Sequence, residues 1–180
     1  MSTSLKVYLA GPDVFRSDAE EFGQCLQAIC LEHGFEGVFP TDARIDRTGK
    51  EHFEVAKAIF EANIDLIHDC NAVIANMTPF RGPNMDVGTA FEIGHASALG
   101  KLIIGYTADN RDYIAKASDF FSEDLREQHG EWRDPEGNLV ENFGLPENLM
   151  VACAATEVVD DFAAAIRLLV LLRKEAPYLF

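Results

Sequence analysis

Residues 72–106 read AVIANMTPFRGPNMDVGTAFEIGHASALGKLIIGY, and this stretch decides the fold. A short apolar run, 72–76, is followed by a Pro/Gly-rich loop, 78–85. A helical run over 87–99 comes next, stopped by Gly100, and a second apolar run fills 102–106. Apolar strands joined through a helix read as a crossover between parallel neighbours, with the helix covering one face of the sheet.

The same alternation extends upstream. Residues 6–10, KVYLA, form a β-rich run closed by Gly11 and Pro12. Ser17 and Glu20 match a capping box, so a helix is expected from there to about Leu31, with Gly34 as its stop. A strand is expected over 35–39, a polar loop over 41–50 and a helix over 51–68. Downstream, 132–146 is rich in Gly, Pro, Asn and Asp and reads as an excursion loop. Two helices are expected to finish the chain, the last over 157–174. No internal repeat or dividing linker is visible, so residues 1–180 are read as a single domain. In such sheets ligands collect where loops leave the carboxyl ends of the strands.

Composition narrows the function. Among 180 residues, fifteen Lys and Arg face thirty Asp and Glu, a formal charge of −15. That field repels phosphate backbones and anionic lipid, so neither nucleic acid nor a membrane is an expected partner. A small neutral ligand fits better. Met1-Ser-Thr-Ser carries no basic leader, and the densest apolar stretch, 162–172, is interrupted by Arg167, so the chain reads as cytoplasmic. Cys25, Cys30, Cys70 and Cys153 lack paired spacing and read as buried thiols. The five histidines are scattered without metal-ligand spacing, so no metal or cofactor is expected, and His95 reads as a packing or hydrogen-bonding residue.

Two strand ends carry candidate chemistry. In YLAGPDVF, residues 8–15, Tyr8 points to one face of the sheet, Gly11 and Pro12 turn the chain, and Asp13 and Phe15 follow above the strand end. An acid beside an aromatic ring suits a heterocycle. The competing reading is a plain turn, with Phe15 in the core and Asp13 a surface charge. In DVGTAFEIGHA, residues 86–96, Asp86 stands at an N-cap position. Gly88 and Gly94 weaken the helix and suggest close approach to its backbone. Glu92 leans back toward the cleft, beside Ala90, Phe91 and Ile93. A partly apolar carboxylate is a functional candidate. The plainer alternative makes Asp86 only a cap and Glu92 a solvated helix charge.

Together with Asn148-Leu-Met150, these blocks resemble the nucleoside 2-deoxyribosyltransferases, from Lys6 to about Met150. The resemblance implies a flavodoxin-like three-layer α/β sandwich with a parallel sheet of four or five strands. It implies Glu92 as the nucleophile at the anomeric carbon of a 2′-deoxynucleoside, with Tyr8 holding that carboxylate in line. Asp86 would bind sugar hydroxyls or assist at the base. Gly11, Asp13 and Phe15 would border the base. Asn148, with Met150 in its block, would reach the site of a neighbouring subunit, making a homo-oligomer with shared sites. Some members carry a further aspartate in the helix before the third strand. Here that helix offers Asn63 and Asp65, either or neither being its counterpart, and a role for the C-terminal Phe180 stays open. The expected activity is transfer of 2-deoxyribose between nucleobases through a deoxyribosyl–glutamate ester, with retention, in nucleoside salvage. The nearest alternative is an N-glycosidase acting on nucleosides or their 5′-monophosphates, with Arg16 and Ser17, or Arg81 beside Gly82, as phosphate donors. The alternative of another class is a non-catalytic nucleotide-binding module.

Overall fold

The computed structural model describes residues 4–180; the leader reading for residues 1–3 lies outside them. Strands β1 (Leu5–Ala10), β2 (Phe35–Val38), β3 (Ala72–Asn76) and β4 (Leu102–Tyr106) alternate with helices α1 (Ala19–Glu32), α2 (His52–Asp69) and α3 (Val87–Ala98). Then come α4 (Tyr113–Phe121), short strands β5 (Arg126–Gln128), β6 (Glu131–Arg133) and β7 (Leu139–Val140), and the single turn α5 (Leu149–Ala152). Strand β8 (Glu157–Val159) and helix α6 (Phe162–Glu175) follow.

The main sheet has the order β2-β1-β3-β4-β8 with every pair parallel, the flavodoxin-like arrangement. Alternation along each strand divides the core into two layers. Val7, Leu9, Ile74 and Ile104 pack with Leu26 and Cys30 of α1 and with Ile166 and Leu169 of α6. Tyr8, Ala10, Val73 and Ile103 pack with Ile67 of α2 and with Ile93 and Ala96 of α3. Each fully buried Ile or Leu contributes about 1.5–3 kcal/mol, so the period-2 pattern fixes which face each strand residue takes. Tyr8, at 0% exposure, is committed to the α2/α3 face.

Four expectations need correction. The α1 N-cap is Asp18, one residue later than a box at Ser17 requires, so that box does not form, and the Asp18 carboxylate is held by Arg16 at 2.8 and 2.9 Å instead of capping. Residues 157–159 are an edge strand and not the start of the last helix. Two adjacent valines favour β structure beside β4, and Asp161 caps α6 by accepting from the Ala164 N–H at 2.6 Å. The segment 132–146 is not wholly loop: β5, β6 and β7 form a small antiparallel sheet, and Leu125 and Val140 pack with Ala117 of α4. Of the cysteines, Cys30 and Cys70 are buried, which pushes their thiols up to about 12, whereas Cys25 and Cys153 are exposed. Residue 25 falls on the outer face of α1, and 153 follows the short α5 at the surface.

Phe180 stacks on Phe35 at a centroid separation of 6.5 Å, against the α1/α6 layer and at the amino end of β2. Its ring is therefore on the other side of the sheet from Tyr8. Among the described residues, no helix is long and apolar enough to cross a membrane.

Candidate active site

The structure brings Tyr8, Glu92 and Asp86 together where β1 faces α3, and sets Asp13 against Asn76 at the carboxyl ends of β1 and β3. The Tyr8 hydroxyl donates to Glu92 Oε1 at 2.6 Å, across 84 residues of sequence. Burial pushes the Glu92 carboxyl up to about 7 from the usual 4.5; the Asp86 charge adds to this, and the Tyr8 hydrogen bond opposes it. The Tyr8 phenol is driven far above its ordinary value, by burial first and then by Glu92, so it stays a donor. The solvated reading of Glu92 does not describe this environment.

Asp86 is the α3 N-cap, and its Oδ2 accepts from the Thr89 N–H at 2.9 Å and the Thr89 hydroxyl at 3.0 Å. A Cβ on Gly88 would stand 3.0 Å from that same oxygen, so the missing side chain gives the carboxylate its room. Gly94 differs: among the described residues nothing lies within 4 Å of where its Cβ would be, so no neighbour in this chain requires glycine there.

Asp13 is 9% exposed, and its Oδ2 accepts from Asn76 Nδ2 at 2.9 Å. It also helps, after burial, to raise the Tyr106 hydroxyl. A Cβ on Gly11 would come within 2.8 Å of the Asn76 Cβ, so glycine there permits this clasp between the β1 and β3 ends. Asp13 is thus neither a surface charge nor fully free. Phe15 is 57% exposed and stacks on Phe80 at 5.6 Å, so it is not a core residue. The Arg81 guanidinium lies over both rings, 5.2 and 4.5 Å from their centroids.

Phe15 also lines a cleft of about 800 Å³ whose other walls include Gln24, Phe39, Arg44, Ile59 and Asn63. Tyr8, Asp86 and Glu92 are not part of that lining; the loop after β1 connects the two regions. Asn63 Oδ1 is buried without a hydrogen-bond partner among the described residues. Asp65, its neighbour on α2, is exposed and absent from the lining.

Asn148 caps α5. Its Oδ1 accepts from the Met150 N–H at 3.0 Å and its Nδ2 donates to Glu141 Oε1 at 2.7 Å. Met150 is 73% exposed. Among the described residues no hydrogen bond joins Asn148 to Tyr8, Asp86 or Glu92 within this chain. His95 does hydrogen-bond: its Nε2 lies 3.3 Å from His68 Nε2 on α2. Sequence reasoning missed Asn76, Asn84, Glu141 and Glu147 as organisers of these loops. Only their closeness to the quoted blocks could have drawn attention to them.

A sequence model of the family described as nucleoside 2-deoxyribosyltransferase matches residues 7–150. An uncharacterized protein, C191.05c, of Schizosaccharomyces pombe is 34% identical over 158 residues, covering 80% of this chain and 74% of its own length. Among solved structures, a 2-deoxyribosyltransferase from Leishmania mexicana is 32% identical with a TM-score of 0.69, covering 93% of this chain and 97% of its own. A 2-deoxyribosyltransferase from Bacillus psychrosaccharolyticus shares the fold at 17% identity, with a TM-score of 0.55 and 88% of each chain covered.

Proposed function

The chain belongs to the nucleoside 2-deoxyribosyltransferase family, and we propose that it moves 2-deoxyribose between nucleobases through an ester on Glu92, with retention of configuration. The observation that carries this reading is the 2.6 Å bond from Tyr8 to Glu92 Oε1 in a partly buried setting. Tyr8 occupies one carboxylate oxygen and fixes the plane, leaving Oε2 to attack C1′ of the sugar.

In the first half-reaction the C1′–Oε2 bond forms as the C1′–N bond breaks. The electron pair leaves on the base nitrogen, which takes up a proton. The developing positive charge on the sugar is balanced by Glu92. In the second half-reaction the nitrogen of another base attacks C1′, releases its proton and frees the carboxylate. Two inversions give retention, the logic of two-step glycoside hydrolysis. Asp86 spends Oδ2 on Thr89, which leaves Oδ1 for a sugar hydroxyl or the leaving base. The cleft beside Phe15 suits the base: it offers an aromatic wall and the unpartnered Asn63 carboxamide, whose donor–acceptor edge matches that of a heterocycle. Asn63 cannot supply a proton and Asp65 is exposed, whereas Asp86 lies near enough for its charge to act on Glu92, which makes Asp86 the better-placed carboxyl.

The shared-site oligomer remains part of the reading. Asn148 keeps a second amide hydrogen, and Met150 projects outward, as a contribution to a neighbouring site requires. Phe53, Phe60, Val87 and Phe91 are exposed at 52–84% on α2 and α3, an apolar face suited to a second copy. Exposed Cys25 and Cys153 thiols suit a reducing cytoplasm. Of the two candidate phosphate donors, Arg16 is engaged by Asp18, whereas Arg81 lies over the Phe15 and Phe80 rings.

Intact-mass measurement after mixing with deoxyinosine alone tests the ester. A deoxyribosyl adduct mapped to Glu92 is expected, and its absence during turnover overturns the covalent reading. Adding adenine separates transfer from hydrolysis, because free sugar forming at an undiminished rate sinks the transferase.

A further inference from the structure

Glu147 lies just before the Asn148 block, and its side chain is 2% exposed. It is not idle. Its Oε1 accepts from Asn84 Nδ2 at 2.9 Å and from the Asn148 N–H at 2.9 Å, while Oε2 accepts from the Met85 N–H at 2.7 Å. Met85 immediately precedes the Asp86 cap, and Asn148 caps α5. One carboxylate therefore holds two segments more than sixty residues apart in sequence.

The surroundings reinforce the clamp. Lys116 of α4, 4% exposed, donates through Nζ to the Pro146 carbonyl, and its charge interacts with Glu147. Tyr113 donates its hydroxyl to Asn84 Oδ1 at 3.2 Å and its N–H to the Leu145 carbonyl at 2.7 Å. Glu141 grips the other side of α5, accepting from Asn148 Nδ2 and from the Leu149 N–H.

Three N–H donors converge on Glu147, and only an acceptor-only group satisfies all of them. A neutral amide of the same length would aim an NH₂ at one of those donors and leave it buried and unpaired. An apolar residue would strand all three. The requirement is for a carboxylate, which is more than packing asks of a buried position.

We infer that Glu147 is a positioning residue that ties the Asp86 and Asn148 segments together, so that loosening it displaces both sugar contacts at once, one in each of two sites. This rests on the site reading above, in which Asp86 serves its own chain's site and Asn148 a neighbour's. Glu147 touches neither substrate nor the reacting atoms. It acts through the backbone of Met85 and Asn148, and a shift of about 1 Å in either is large on the scale that catalysis tolerates.

The test uses the full-length protein and two variants, Glu147→Gln and the milder Asn84→Ala, which removes one of the three donors. Hydrogen–deuterium exchange is followed in peptides spanning 82–88 and 145–152. Donor KM and kcat are measured with a 2′-deoxynucleoside and adenine. In Glu147→Gln, exchange rises at least tenfold in both segments together, and donor KM rises about tenfold while kcat falls less than threefold. Asn84→Ala gives the same pattern at roughly a third of the size, and decides the matter should Glu147→Gln not fold. Faster exchange in only one segment, or an unchanged KM when both are loosened, overturns the inference. If the wild-type protein neither transfers nor hydrolyses, the site reading fails by itself, and the coupled exchange still decides whether Glu147 joins the segments.

Discussion

The Tyr8 hydroxyl and Glu92 Oε1 stand 2.6 Å apart, joining the middle of β1, an inner strand of the sheet, to the second turn of α3. The bond opposes the burial that raises the Glu92 carboxyl. Hydrogen bonds to charged groups contribute about 1.5–3 kcal/mol, so Tyr8→Phe should lower kcat roughly 10- to 100-fold. It should also move the acidic limb of the rate profile above pH 7. A Phe variant with an unshifted limb would show that Tyr8 does not tune Glu92.

The pH dependence of the wild-type rate follows from the same group. The nucleophile must be ionised, and its carboxyl titrates near 7. Below that pH, kcat/KM for the deoxynucleoside should fall about tenfold per pH unit. A rate flat between pH 5 and 8 would remove Glu92 from the role.

Stability should carry the opposite sign. A carboxyl raised from 4.5 to about 7 on folding binds more protons in the folded state between those values, so it costs stability as pH rises through that window. Glu92→Gln keeps an acceptor for Tyr8 and removes the charge. Thermal melts should show the variant on the order of 1–3 kcal/mol more stable than wild type at pH 8 and nearly equal to it below pH 4.5.

Asn63 separates ligand recognition from folding. Its buried Oδ1 has no partner among the described residues, so replacing the amide by an apolar group of similar shape costs little. Asn63→Leu should melt within about 1 kcal/mol of wild type. KM for the acceptor base should rise about tenfold, the loss of about 1.4 kcal/mol of binding. An unchanged KM would move the base out of this cleft.

The two glycines of α3 make a matched pair. Gly94→Ala meets nothing within 4 Å in this chain and should stabilise the fold by roughly 1 kcal/mol, with activity retained. Gly88→Ala gains the same helix propensity but presses on Asp86 Oδ2 from 3.0 Å, and should lose activity about tenfold. Equal effects at the two positions would deny Asp86 a place in the chemistry.

Much of this was legible because apolar runs and stop signals write α/β crossovers plainly. The unit from β3 to β4 appears where the pattern puts it, and Asp86 caps α3 as its place before a helical run requires. Alternation placed Tyr8 on one face of the sheet; that Glu92 meets it there was implied by the family resemblance and not by spacing or periodicity. The failures have physical causes. The turn after β1 runs one residue further before α1 begins, which takes Ser17 and Glu20 out of the spacing a capping box needs. The sheet edge beside β4 turned 157–159 into a strand, a tertiary effect invisible in a helix-like window. The β5–β7 sheet consists of strands of two or three residues, too short to show periodicity. Glu147 and Asn63 escaped notice because their meaning lies in what surrounds them across the fold.

The exposed thiol at the end of α5 opens a practical door. Cys153 sits three positions past Met150, on the turn that Asn148 begins. With the outward Cys25 replaced by serine, a fluorophore coupled there would ride on the segment proposed to reach a neighbouring copy. Its emission would then follow subunit encounter and substrate arrival in real time, using an anchor the protein already carries.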